Sequence, residues 1–546
     1  MATDALKLEG RLLFLAEEAE TVARQLAGED LSLSAALPLK PVGADEILPG
    51  WAAFFFEGRL GDFPYLGLDC GGSWPVGEGA LRRGGFVASV SGHRGRGCLR
   101  DAAPMAEYAA GLRAVFASSF DPAYLDVPSE VLVTTMKKHQ RYFPVRDRSG
   151  KLCPFFVGVS NNQATRMQVV REGNERVLRA RLADAAFFWQ EDQKDGLASR
   201  VEGLKSVLYQ EKLGSVYQKA ERARGLALWL VDALGLQEIR SLTDRAAFLA
   251  KADLLTNMVY EFPELQGVMG REYARREGEP ERVALALHEQ YLPRFASDRL
   301  PTDVVGALVG LADRADTLVA IHHVGLEPSG SQDPYGLRRA SRCINEILWG
   351  LDLDVPVRDL FARAGDPLGA QEETLRKVGD FYRQRTAVQL REKGYGHGVV
   401  DLALQCAPDR PLQTLRLLQV LEELKGEPWF ASLVTAAVRV RNILAKAPEA
   451  GCLEPASLGC EEERGLLQAL EEIGPSVRRA VEACDWREVA RWLHRLEEPI
   501  SRFFDGVLVM DPDERVRANR IGLLRRAQEL FDAIGDFSYL KNEVKA

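Results

Sequence analysis

The residues that could do chemistry in this 546-residue chain are, first, a set of carboxylates. Asp253 follows Ala252 in KADLLTNMV, and Asp313 and Asp316 recur in GLADRADTL. Carboxylates of this kind, joined by imidazoles, can hold a metal ion that activates water. The imidazoles are not at hand. The seven histidines are scattered apart from His322-His323, and no zinc-ligand spacing occurs. His288 reads as a packed or surface side chain of an amphipathic helix. His322 and His323 fall at a helix end, where an imidazolium would meet the negative pole of the helix dipole. A glycine-rich phosphate loop ending in Gly-Lys-Ser/Thr is missing, so the sequence does not support P-loop ATPase chemistry. Spacing alone does not identify a serine–histidine–aspartate system, and the Gly-rich cluster around Cys70 has no partner histidine at a diagnostic distance. The eight cysteines form no Cys-x-x-Cys pair and read as free thiols of a reducing, cytoplasmic compartment. The expectation is therefore no catalytic residue and no metal ligand on this chain.

Cations offer the second chemistry, recognition of phosphates and bases. The net charge of −9 excludes a protein that coats nucleic acid non-specifically. Local basic faces remain available, because RNA affinity rests on a few positioned Lys and Arg contacts. Three stretches supply them: 137–148 (KKHQRYFPVRDR), 166–181 (RMQVVREGNERVLRAR) and 515–526 (RVRANRIGLLRR).

The elements that must position these groups are mostly helices. At about 100–200 residues per domain the length implies roughly three to five domains. No apolar run approaches the ~20 residues of a membrane span, and the acidic N-terminus lacks a secretory pattern. Residues 10–40 read as a helix, and 41–118 are Gly-rich without clear period. EVLVTTM and RYFPV (130–145) read as strands. Asp147 to Gly150 is a turn signal, and LCPFFVGVS completes a hairpin. GNERVLRARLADAAFFWQEDQK is an amphipathic helix with Val177, Leu178, Leu182, Ala185, Phe188 and Trp189 on its inner face. Phe187 to Trp189 read as core; the alternative is a stacking platform for a base. Residues 250–259 read as one helix, followed by a turn at Pro263 and a second, charged helix. Asp333-Pro334 reads as a helix start, Asp as cap and Pro in the first turn, with the helix stopping near Gly350. Residues 351–425 continue helical with a break at 394–398, 447–465 reads as a linker, and 466–546 reads as a helical bundle. In that bundle Trp492, Leu493, Leu496, Ile500 and Phe503 follow one stripe, and Val516, Leu523, Ala527, Leu530 and Ile534 another.

Two resemblances follow from quoted residues. The segment 251–316 resembles the metal-dependent phosphohydrolases of the HD type, but Ala252 stands where their dyad needs histidine. This implies a degenerate, non-catalytic domain in which Asp253 is a surface or buried hydrogen-bonding group. The blocks TTMKKHQRYFPV, GNERVLRARLADAAFFW, KLGSVYQKAERA, KADLLTNMVYEFPELQGVMG, GLADRADTL, DPYGLRRA and RVRANRIGLL, in this order over residues 120–546, resemble the beta subunit of bacterial-type glycyl-tRNA synthetase. No block like EIGTEELP is present, and only Ser91 to Arg94 resembles the family before residue 118.

That resemblance implies a mainly α, multidomain protein. Its parts are a divergent or truncated N-terminal region (1–118), a small α+β module (119–165), a degenerate HD-like helical domain (166–350), a helical linker domain (351–446) and a C-terminal helical anticodon-binding bundle (466–546). It implies a subunit that recognises tRNA(Gly), while a separate alpha subunit activates glycine with ATP in a cytoplasmic heterotetramer. ATP and Mg would be used by the assembled enzyme rather than held by this chain. The tRNA-binding residues expected are Arg515, Arg517, Asn519 and Arg520, which offer donors to splayed anticodon bases and phosphates, with Arg176, Arg179 and Arg181. The alternatives are an HD-type phosphohydrolase and a non-enzymatic RNA-binding protein.

Overall fold

The computed structural model describes residues 115–159, 167–328, 332–447, 453–541 and 543–544. The expected helix at 10–40, the surroundings of Cys70 and the fragment Ser91 to Arg94 lie outside the described residues. The chain divides into two compact units: one takes residues up to Lys194 with Tyr260–Leu265, the other Asp195–Val259 with Gln266–Ala546.

The described part of the first unit is an antiparallel sheet under a long helix. The strands β1 (Val115–Ser119), β2 (Phe143–Arg146) and β3 (Leu152–Val159) take the order β1-β3-β2. The β2–β3 hairpin forms where the turn signal places it. Asp147 accepts the N–H of Ser149 and of Lys151, each at 2.9 Å. The expected strand EVLVTTM is instead helix α1 (Ser129–Thr134), continued by a single π turn. Its β-branched residues are overruled by the spacing of its buried ones: Val131, Leu132 and Met136 share one helical face. Strand β1 went unforeseen. Helix α2 (Met167–Asp192) covers one face of the sheet, with Ser118 donating to Glu175 at 2.6 Å and Tyr142 donating to Asn174. Its inner stripe is Leu178, Leu182, Ala185 and Trp189; Val177 and Phe187 are exposed, a correction for Val177 on the inner face and for Phe187 as core.

The second unit is almost wholly helical. A small hairpin, β4 (Leu208–Gln210) and β5 (Gly214–Ser215), leads into α3 (Val216–Ala233), whose start is a reciprocal cap between Ser215 and Gln218. Then come α4 (Arg240–Leu249), α5 (Val268–Arg276), α6 (Glu281–Glu289) and α7 (Val304–His323). Residues 250–259 are not one helix. A 3-10 turn, Ala252–Leu255, ends at an extended Thr256, and a short helix, Asn257–Glu261, follows. The first two turns of helix α7 are apolar all round and buried from Val305 to Ala312, ahead of its Asp313, Arg314 and Asp316. Helix α8 (Leu337–Gly350) starts three residues beyond the Asp-Pro signal. Asp333 still caps it, accepting from Leu337 and Arg338 across a left-handed Gly336.

Helices α9 (Val357–Gly365), α10 (Glu372–Glu392), α11 (His397–Cys406), α12 (Pro411–Leu424) and α13 (Pro428–Leu444) lead to the last four, α14 (Glu461–Glu482), α15 (Trp486–His494), α16 (Glu497–Gly506) and α17 (Glu514–Phe531). One hydrophobic core, running from Leu390 to Leu540, joins α11–α13 to the C-terminal bundle. It includes Leu493, Leu496, Ile500, Phe503, Leu523, Ala527, Leu530 and Ile534 from the two expected stripes. Among the described residues no helix is long and apolar enough to cross a membrane.

Candidate functional site

The carboxylates singled out by type converge in the second unit, and they meet ammonium groups. Lys219 of α3 lies 2.7 Å from Asp313 and 3.7 Å from Asp316, both on α7. Arg222, one turn further along α3, grips Asp316 through two bonds of 2.7 and 3.1 Å. Lys251, from the turn after α4, lies 3.4 Å from Asp313 and 4.3 Å from the centroid of the Tyr291 ring. Burial works against the Asp313 charge, but Lys219 and Lys251 outweigh it and hold its carboxyl well below the usual range. Burial likewise opposes the Lys219 charge, and Asp313 and Asp316 more than offset it. For Lys251 burial prevails and lowers its pKa. Positive charge is thus already set among these carboxylates by side chains of the chain itself. Among the described residues no group of three or more His, Cys, Asp or Glu side chains is arranged to hold a metal ion.

Asp253 has a different task. Its side chain is buried and accepts the N–H of Gly267 at 2.5 Å and of Gly270 at 3.2 Å, which fixes the start of α5. Burial pushes its carboxyl up to about 6 despite those bonds and the nearby Lys251. Asp253 therefore serves as a structural clamp on the LQGVMG turn. Gly267 is required there: its φ is +79°, and a Cβ would stand 2.5 Å from the Tyr291 ring. Of the histidines, His288 is buried, and His322 is buried with its pKa lowered by desolvation. Burial thus works against the imidazolium expected at that helix end.

The four polar residues of RVRANR fall into two situations on α17. Asn519 is buried and makes two bonds to the backbone of Glu454, accepting at 2.7 Å and donating at 3.1 Å. Arg520 joins Glu463 of α14 at 2.6 Å, Asp511 at 2.8 Å and the carbonyl of Leu508 at 2.8 Å. Together they pin the 507–513 connection and the 454–457 turn onto the bundle. Arg517 is three-quarters covered and donates to the Asp511 carbonyl at 2.7 Å. Arg515, in the first turn of α17, is exposed; its backbone N–H donates to Asp513 at 2.8 Å, and its guanidinium forms an ion pair with no acid among the described residues. Leu508 and Met510 stand exposed beside this helix start.

Residues 102–405 match the family described as glycyl-tRNA synthetase beta subunit, and residues 433–536 match the DALR anticodon binding domain. The chain belongs to the glycyl-tRNA synthetase beta-subunit family. It is 44% identical to the glycine–tRNA ligase beta subunit of Desulforudis audaxviator over 446 residues, 81% of this chain and 64% of that protein. It is 42% identical to the Moorella thermoacetica glycine–tRNA ligase beta subunit over 436 residues, 78% of this chain and 62% of that one. The chain thus spans less than two thirds of the length of these relatives.

The basic stretch of this family member in its first unit lies on the outer side of α2. Arg176 and Arg179 are exposed and pair with no carboxylate among the described residues; Arg181 lies 3.9 Å from Glu261. These three belong to the first unit, and Arg515, Arg517 and Arg520 of α17 to the second. Sequence reasoning missed Lys219 and Arg222 as partners of the α7 carboxylates. The signal was present in YQKAER, a Lys and an Arg three apart on one helical face, but nothing in it names a partner ninety residues away.

Proposed function

We propose that this chain is the tRNA-recognising beta subunit of a glycine–tRNA ligase, acting with a separate alpha subunit that activates glycine with ATP and Mg. The observation that carries the reading is the pairing, on one chain and in family order, of the beta-subunit match with a C-terminal bundle matched to an anticodon-binding domain. In this reading the bundle meets anticodon bases, which are single-stranded and can be splayed and read on their edges. Arg515 and Arg517 supply phosphate and base donors. Asn519 acts by holding the 454–457 turn and Arg520 by holding the 507–513 connection. Arg176, Arg179 and Arg181 add a second phosphate-binding stripe. The subunit works in the cytoplasm, in a heterotetramer of alpha and beta chains.

The HD-type hydrolase reading is disfavoured by Lys219 and Lys251, whose ammonium groups lie against Asp313. Filter binding to tRNA(Gly) and to a copy with altered anticodon bases, together with co-purification of the alpha subunit, tests the proposal. Tight binding that drops when the anticodon is changed is expected. Equal affinity for an unrelated tRNA would refute it.

A further inference from the structure

The sheet of the first unit has a second face that α2 does not cover. Along β3 burial alternates: Leu152, Phe156 and Gly158 are buried, whereas Phe155 is 48% exposed. Phe143 of β2 is 59% exposed and pairs in register with Val157, which puts it on the same face as Phe155. Ser119 and Ala117 of β1 pair with Phe155 and Val157 and extend this face with small side chains. Two exposed phenyl side chains thus stand on neighbouring strands, diagonal to each other at about 7–8 Å.

Charge decides what fits there. Residues 137–151 hold six cations against one acid, in a chain whose overall charge is −9. The acid, Asp147, is committed to the hairpin turn. All six cations, Lys137, Lys138, Arg141, Arg146, Arg148 and Lys151, are exposed. Among the described residues, Lys137, Arg141 and Arg148 pair with no carboxylate. A protein interface concentrates apolar groups at its centre and is depleted in lysine. Lys138 pairs with Glu264 at 3.2 Å, and the other cations add positive charge to the same stretch; exposed aromatic rings in a stretch rich in exposed cations suit a strand whose bases stack and whose phosphates meet positive charge.

We infer that this open sheet face binds single-stranded RNA, with Phe143 and Phe155 stacking on unpaired bases and the cations of 137–151 contacting phosphates. The choice of RNA as occupant rests on the tRNA reading above; the geometry of the face does not. The test uses the full chain and a fluorescein-labelled single-stranded RNA dodecamer, its duplex form, and tRNA(Gly) in parallel. The dodecamer should bind more tightly than the duplex. Phe143→Leu and Phe155→Leu keep apolar area but remove the ring face. Each should weaken binding at least about fivefold without changing the salt dependence. Lys137→Gln with Arg141→Gln should lower the salt slope by about 0.7 per lost phosphate contact. Because these side chains are exposed, the variants fold, which circular dichroism checks. Cross-linking of thiouridine-containing RNA should map to peptides spanning 143–155. Equal binding of single strand and duplex, or affinity indifferent to both Phe substitutions, overturns the inference. If tRNA binds while the dodecamer does not, the sheet face alone falls; if neither binds, the tRNA reading falls with it.

Discussion

Removing the Lys219 ammonium should cost more than any exposed substitution in the protein, and the structure sets how much. Its Nζ is 2.7 Å from Asp313 and 3.7 Å from Asp316, with Lys219 and Asp316 side chains 9% and 1% exposed. At an effective dielectric of about 20, one such contact near 2.7 Å is worth roughly 6 kcal/mol before desolvation is charged against it. Removing one partner of a buried pair leaves a net cost of about 3–5 kcal/mol. Lys219 is shared between Asp313 and Asp316, with Lys251 on Asp313 and Arg222 on Asp316, so Lys219→Met leaves both carboxylates short of a cation. Adding Asp313→Asn removes one of those carboxylates, and the double variant should recover at least about 1 kcal/mol relative to the sum of the single losses. A chain of several domains does not unfold in one step, so the assay is amide hydrogen exchange followed peptide by peptide. Peptides of α3 and α7 should exchange about two to four decades faster in Lys219→Met, and less so in the double variant. Strict additivity, or a loss under about 1 kcal/mol, would refute the ionic account of this centre.

Other predictions follow from neighbouring groups. The Asp253 carboxyl lies at about 6 in the fold, above its ordinary value near 4. The folded unit therefore holds that proton more tightly than the unfolded chain. The resulting stability is complete below about pH 4 and is lost as pH rises through 6, about 3 kcal/mol in all. Asp253→Asn, whose amide oxygen can still accept from Gly267 and Gly270, should flatten that slope in exchange rates measured across pH 4 to 7. Gly267→Ala should destabilise the start of α5 by about 2 kcal/mol or more, since it combines a positive φ with a clash against Tyr291; urea titration followed by exchange of α5 reads this. Arg520→Met strands the Glu463 carboxylate, 3% exposed, and should cost about 2–4 kcal/mol in the bundle. Arg515→Gln should leave bundle stability within about 0.5 kcal/mol and lower the salt slope of tRNA binding by about one unit.

Much of the helical framework could be read from periodicity, because long amphipathic stripes such as Leu178, Leu182 and Ala185 leave one face to bury. The hairpin at Asp147 was legible for a local reason: the side chain that signals the turn is the one that closes it. Readings failed where local and distant preferences compete. EVLVTTM has the composition of a strand, yet burial of Val131, Leu132 and Met136 selects a helix. KADLLTNMV has the composition of a helix, yet it breaks at Thr256 to bring Lys251 to Asp313 and Asp253 to the LQGVMG turn. At the candidate sites, residue type alone did not separate donors that face solvent from donors used inside. Asn519 and Arg520 lie four and five residues beyond the exposed Arg515, and the helix turns Asn519 onto the 454 turn and Arg520 onto α14. The pairing of Lys219 with Asp313 spans too much sequence for any local signal to reveal.

The most direct test of the central claim is glycylation itself: tRNA(Gly), glycine, ATP and Mg with a cognate alpha subunit, with and without this chain. Charging that requires both proteins is the predicted result. A rate with the alpha subunit that this chain does not raise, under conditions where the two co-purify and the tRNA is bound, would contradict the assignment of this chain as the tRNA-recognising half of the ligase.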